Sequence, residues 1–113
     1  MPMIHSKITV GVSDETREVL VAELGKAIAV LGKPESYLML GFEDHYCLYF
    51  GGKRLEKGAF VSVELFGSED AAACEKMTEQ ICAIFERTLG IPGDAVYVTY
   101  AGFRNWGWNG RNF

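Results

Sequence analysis

The sequence predicts an α/β protein of the α+β two-layer kind, a duplicated β-α-β arrangement with both helices on one face of the sheet. Three observations support this. The segment Leu31-Gly32-Lys33-Pro34 is answered later in the chain by Leu89-Gly90-Ile91-Pro92. Each copy follows a stripe of apolar residues at helical spacing. Each also leads into an apolar, β-prone run, Tyr37-Leu38-Met39-Leu40 in the first case and Val96-Tyr97-Val98-Thr99-Tyr100 in the second.

The elements follow in chain order. A first strand alternates, with Ile4, Ile8 and Val10 facing one way and His5, Lys7 and Thr9 the other. Ser13 is the expected N-cap of the first helix, followed by Asp14 and Glu15, which suit the positive helix end. Leu20, Leu24, Ile28 and Leu31 mark its buried stripe; Gly32 is its expected C-cap, and Pro34 prevents continuation. After the Tyr37–Leu40 strand come a short strand at Leu48–Phe50 and a Gly51-Gly52 turn. In the second copy Val61, Val63 and Leu65 alternate with Ser62, Glu64 and Phe66. Ser68 is the expected cap of the second helix, whose stripe runs Cys74, Met77, Ile81, Phe85, Thr88 and ends at Gly90. An aromatic tail closes the chain, with Gly107 and Gly110 expected to make tight bends that gather its rings.

Right-handed crossovers place both helices on the same side of the sheet. The other face then needs cover, and it favours assembly with further copies.

Composition bounds the rest. The 113 residues fit one domain spanning 1–113, and 49% hydrophobic with 23% charged residues is ordinary for a folded protein. A net charge of −4 provides no basic field for phosphate backbones, so nucleic acid is not an expected partner. No apolar stretch reaches the roughly 20 residues that span a bilayer, so no membrane association is expected. The start MPMIHSKITV lacks the apolar run of a signal peptide, and the expected location is the cytoplasm. Cys47, Cys74 and Cys82 are odd in number and far apart, with only His5 and His45 to join them. That pattern points to reduced cysteines in or near the core, with no disulfide framework and no metal site.

The chemistry-bearing candidates sit at the ends of elements. Removal of Met1 would expose Pro2 as a secondary amine at the start of a buried strand. Its pKa in water is about 8, and burial disfavours the charged form, each tenfold loss of basicity corresponding to about 1.4 kcal/mol. A neutral amine near pH 7 suits proton transfer at carbon. A retained Met1 would instead make that nitrogen an amide, which is no base. Lys33 could hold a carboxylate or stabilise an enolate oxygen, or simply complement a helix C-terminus. The tail from Phe103 to Phe113 could wall a pocket for a flat apolar substrate or pack against a neighbouring subunit.

Taken together, Met1-Pro2-Met3-Ile4, Gly32-Lys33-Pro34-x-x-Tyr37, Phe50-Gly51-Gly52, Val96-Tyr97-Val98 and Trp106-Gly107-Trp108-Asn109…Phe113 resemble the macrophage migration inhibitory factor and D-dopachrome tautomerase family over residues 2–113. The resemblance implies the tautomerase fold, a four-stranded mixed sheet with two helices on one face. It also implies a homotrimer with active sites between subunits, and a non-classical route if the protein is secreted. No cofactor is implied. Pro2 would be the proton acceptor and Lys33 the carboxylate-binding residue. Phe66, Trp106, Trp108 and Phe113 would contact substrate. Tyr97 would reach into a neighbouring subunit's pocket, and Thr99 would stand at a substrate-contacting position.

Three departures stand out from the family pattern. Thr99 replaces a substrate-contacting asparagine, and Trp106 is bulkier than the usual valine and should narrow the pocket mouth. Gly58-Ala59-Phe60-Val61 stands where some members carry a redox Cys-x-x-Cys. The implied activity is a cofactor-independent keto–enol tautomerisation of a small aromatic 2-keto acid, phenylpyruvate-like or dopachrome-like. The alternatives are a cytokine-like protein that binds a receptor with a vestigial pocket, and another Pro2-dependent reaction such as decarboxylation or dehalogenation.

Overall fold

The computed structural model describes residues 1–113. Its order is β1 (Pro2–Ile8), α1 (Asp14–Ala27), β2 (Met39–Glu43), β3 (Tyr49–Phe50), β4 (Lys53–Arg54), β5 (Ala59–Phe66), α2 (Ala71–Leu89), β6 (Val96–Phe103), β7 (Gly107–Trp108) and β8 (Arg111–Asn112). One four-stranded sheet runs β2-β1-β5-β6. The outer pairs β1–β2 and β5–β6 are parallel, and the central pair β1–β5 is antiparallel, so the sheet is mixed. This is the expected duplication: each parallel pair is a β-α-β unit, and the two units meet at the sheet centre.

Strand alternation builds the core. Ile4, Ile8, Val61, Val63 and Leu65 are shut from solvent on one face. Leu20 and Leu24 of α1 and Met77, Ile81 and Phe85 of α2 pack in the same core. Ser6 joins them fully buried, its hydroxyl oxygen without a partner. The opposite face carries Met3, His5 and Lys7 beside Glu64, Ser62 and Phe60, and no helix covers it. There His5 Nε2 meets Glu43 Oε2 at 2.6 Å.

Several local expectations need correction. The first strand stops at Ile8, and Val10 packs against the core from the following bend. Ser13 does cap α1, accepting from the Thr16 N–H at 3.1 Å. Gly32, at φ 71°, ends a 3-10 turn over Ile28–Leu31 that continues α1, so it is not the cap of the α-helix itself. Residues Glu35–Tyr37 form another 3-10 turn, and β2 begins only at Met39. The cap of α2 is Asp70, whose carboxylate accepts from the Ala73 N–H, and not Ser68. The reason is that the Gly67 N–H is tied to the Phe103 carbonyl at 2.8 Å, so the chain must first clear the strand end. Gly90 terminates α2 as expected, at φ 67°. Cys74 is buried and Cys82 partly so, but Cys47 is exposed in the loop before β3.

Candidate active site

Pro2 opens β1 opposite Leu65 and is itself buried. With Met1 attached, the Met1 carbonyl accepts a hydrogen bond from the Phe66 N–H at 2.9 Å. The Phe66 carbonyl in turn accepts from Lys33 Nζ at 2.9 Å. The left-handed turn at Gly32 and the extended Pro34 aim Lys33 at the end of β5. One residue of β5 thus joins the chain start to the lysine. With Met1 in place, it is the Met1 amine that is held below its ordinary pKa, first by burial and then by the Lys33 charge.

A cleft of about 750 Å³ opens beside Pro2, and most of its lining residues are apolar. The tail supplies one wall. β7 and β8 form a hairpin through Asn109 (φ 54°) and Gly110 (φ 84°), the two positive-φ positions of a tight turn. Gly107 lies in the strand and makes no bend, contrary to expectation. Just beyond the hairpin the Phe113 N–H donates to the Trp106 carbonyl at 3.1 Å. The rings then run in a chain: Tyr37 stands edge-on to Trp108 at 5.9 Å, Trp108 stacks on Phe113 at 6.3 Å, and Phe113 meets Phe66 at 5.5 Å. Trp106 stands edge-on to Phe103 at 6.2 Å.

Of the anticipated site residues, Pro2, Trp106 and Trp108 line the cleft. Lys33, Phe66 and Phe113 form an adjoining group, tied to it through Met1 and Trp108. Tyr97 and Thr99 lie apart. Tyr97 is opposite Phe60, five strand positions from Leu65, which is roughly 17 Å along the sheet. Its ring sits 5.2 Å from Phe50 in a separate apolar notch of about 80 Å³. Within one chain these two residues do not join Pro2. Sequence reasoning left Tyr37 and Glu64 out of the site, and both line the cleft, as do Phe103 and Asn105 of the tail that was expected to wall it. Tyr37 was signalled by its place in Gly32-Lys33-Pro34-x-x-Tyr37. Glu64 reads in the sequence as an ordinary outward residue of an alternating strand.

The profile of the macrophage migration inhibitory factor family matches residues 1–113. The chain belongs to the macrophage migration inhibitory factor family. Among solved structures, Leishmania major MIF2 superposes with a TM-score of 0.93 at 34% identity, covering 100% of this chain and 97% of that one. The macrophage migration inhibitory factor homologue of Prochlorococcus marinus gives 0.86 at 30% identity, with 98% of each chain covered. A macrophage migration inhibitory factor from Xenopus laevis is 28% identical over 103 residues, 88% of this chain and 89% of that protein. The four-stranded mixed sheet and its two helices are the tautomerase fold of these family members.

Proposed function

We propose that the protein, once Met1 is removed, is a cofactor-independent keto–enol tautomerase of phenylpyruvate-like 2-keto acids, with Pro2 as its base. Family membership supports a tautomerase or cytokine-like role in general. The observation that carries the enzymatic reading is the double use of the Phe66 backbone. The Met1 carbonyl carbon is bonded to the Pro2 nitrogen, so the Phe66 N–H that now reaches that carbonyl points beside the nitrogen. Trimming leaves a free donor next to a free amine, with the Lys33 ammonium one carbonyl away.

The chemistry follows from that juxtaposition. Lys33 pairs with the substrate carboxylate. The freed Phe66 N–H donates to the substrate oxygen on which charge develops. Neutral Pro2 takes a proton from the enol hydroxyl or the benzylic carbon and returns it at the other position, so no proton is gained or lost overall. Low water content keeps the amine uncharged and strengthens the ion pair. Phe66, Trp106, Trp108 and Phe113 surround the aromatic ring, and the Phe103–Trp106 pair narrows the mouth.

Tyr97 and Thr99 complete this reading only in a homotrimer whose active sites lie between subunits. Roughly 17 Å of strand separates Tyr97 from Pro2 in one chain, and a neighbouring copy supplies the missing wall. The uncovered sheet face, with Tyr97 58% and Met39 69% exposed, is the surface such assembly would use. A second reading, an interaction protein that binds a receptor, draws on the name of the Xenopus laevis relative, macrophage migration inhibitory factor.

Absorbance decay of enol-phenylpyruvate, followed with mass-verified processed protein and with Pro2→Gly, tests the enzymatic reading. Turnover by the processed protein and its loss in the variant are expected. Equal turnover by both would refute Pro2 as base, and no turnover by the processed protein would favour the interaction reading.

A further inference from the structure

The cleft beside Pro2 has a charge of its own that the proposed reaction does not use. Glu64 is the single acidic or basic side chain among the cleft's lining residues. It sits on β5 opposite Met3, on the sheet face turned away from the helices, and is exposed. Its carboxylate takes part in none of the salt bridges of the molecule. The nearby cation, Lys33, donates to the Phe66 carbonyl and forms no ion pair with Glu64. The same cleft is also lined by Tyr37, Phe103, Trp106 and Trp108.

Aromatic faces carry negative electrostatic potential, and they attract alkylated ammonium groups most strongly where water is partly excluded. A free carboxylate in the same cleft adds a full negative charge. An anionic group pushed to this end of the cleft meets repulsion, and a neutral ring gains only apolar contact. An organic cation gains from both features.

We infer that the cleft contains a subsite for an organic ammonium group, with Glu64 as its counter-charge and the tryptophan and tyrosine rings as its walls. The inference rests on reading this cleft as the substrate site. It extends the substrate class to 2-keto acids carrying an ammonium group remote from the carboxylate. Lys33 and Glu64 then divide the work, one taking the anionic end and the other the cationic end. A cation held there would also disfavour protonation of Pro2 and so keep the base in its active form.

The test titrates benzyltrimethylammonium, and separately benzyl alcohol, into processed full-length protein and Glu64→Gln at low salt. Intrinsic fluorescence reports occupancy directly, because both tryptophans of the chain line the cleft. Glu64 is exposed, so glutamine keeps the shape and removes only the charge; circular dichroism checks the fold. The wild-type protein should bind the cation roughly tenfold more tightly than the alcohol, and Glu64→Gln should lose most of that difference. Equal affinity of wild type and variant for the cation, or no preference for cation over alcohol, would overturn the subsite. Phenylpyruvate turnover is scored separately on the same wild-type protein. Its absence would count against the reaction, while the binding arm alone decides the subsite.

Discussion

At Phe66 the backbone performs two tasks that a reading of side chains overlooks: its N–H reaches the Met1 carbonyl and its carbonyl fixes Lys33. In the proposed mechanism this residue ranks with Pro2 and Lys33, although its ring only extends the aromatic wall. There Lys33 holds the substrate carboxylate by charge, so Lys33→Ala should raise KM for phenylpyruvate roughly tenfold or more, with the rest of the loss in kcat. Steady-state kinetics of the folded variant checks this. The Met1 amine is held below its ordinary pKa by burial and then by Lys33. In the proposed mechanism the Pro2 amine, exposed by trimming one residue further into the same buried strand, meets the same two influences and works in its neutral form. Activity should therefore rise with pH, with an acid limb centred below the ordinary α-amino value of about 8. In Lys33→Ala one of the two depressing causes is gone, so the limb should move to higher pH. A kcat/KM profile with its midpoint unchanged in the variant would show that Lys33 does not act on the amine.

Among the elements, the tail hairpin controls the shape of the cleft. Its turn needs positive φ at both Asn109 and Gly110, and only the first is a residue with side-chain tolerance for that region. Gly110→Ala should cost about 1 kcal/mol, felt at the hairpin more than in the core. The expected signature is a raised KM from displaced Trp106 and Trp108, with a melting temperature lowered by only a few degrees. Thermal unfolding and kinetics on the same sample separate these effects. A similar logic explains the late start of β2. The 3-10 turn over Glu35–Tyr37 uses residues that look strand-like in sequence to present Tyr37 to Trp108.

For the whole molecule, one sheet face is occupied by two helices and the other is bare of them. The bare face mixes polar groups such as His5 and Glu43 with large apolar ones such as Met39 and Tyr97. An assembly of three 12.5 kDa chains is expected by light scattering. Tyr97→Ala should lower turnover although Tyr97 lies in a different notch from Pro2 within its own chain. Mixing it with Pro2→Gly protein would then restore some activity, since shared sites recombine a sound base with a sound wall. A monomeric, fully active protein would sink the shared-site arrangement.

Much of this architecture was legible in the sequence, because period-two and period-3.6 patterns respond to burial that local geometry dictates. The duplicated β-α-β units and the strands through Val61–Phe66 and Val96–Tyr100 follow from such patterns, the Ser13 and Gly90 caps from their residue types, and the family likeness from the ordered motifs around Pro2, Lys33 and the aromatic tail. Element ends were harder to read. Ser68, Gly32 and Tyr37 each met a tertiary tie or a tight turn that outweighed their local preference. The cleft's polar inventory was hidden as well. Glu64 is an ordinary outward residue until the tail brings its rings to the same cleft, and the Phe66 N–H carries no sequence signal. Periodicity thus determined which faces are apolar, while only the tertiary structure decided which groups converge on Pro2. Convergence depends on contacts between residues distant in sequence, and those are set by strand register and by the path of the tail.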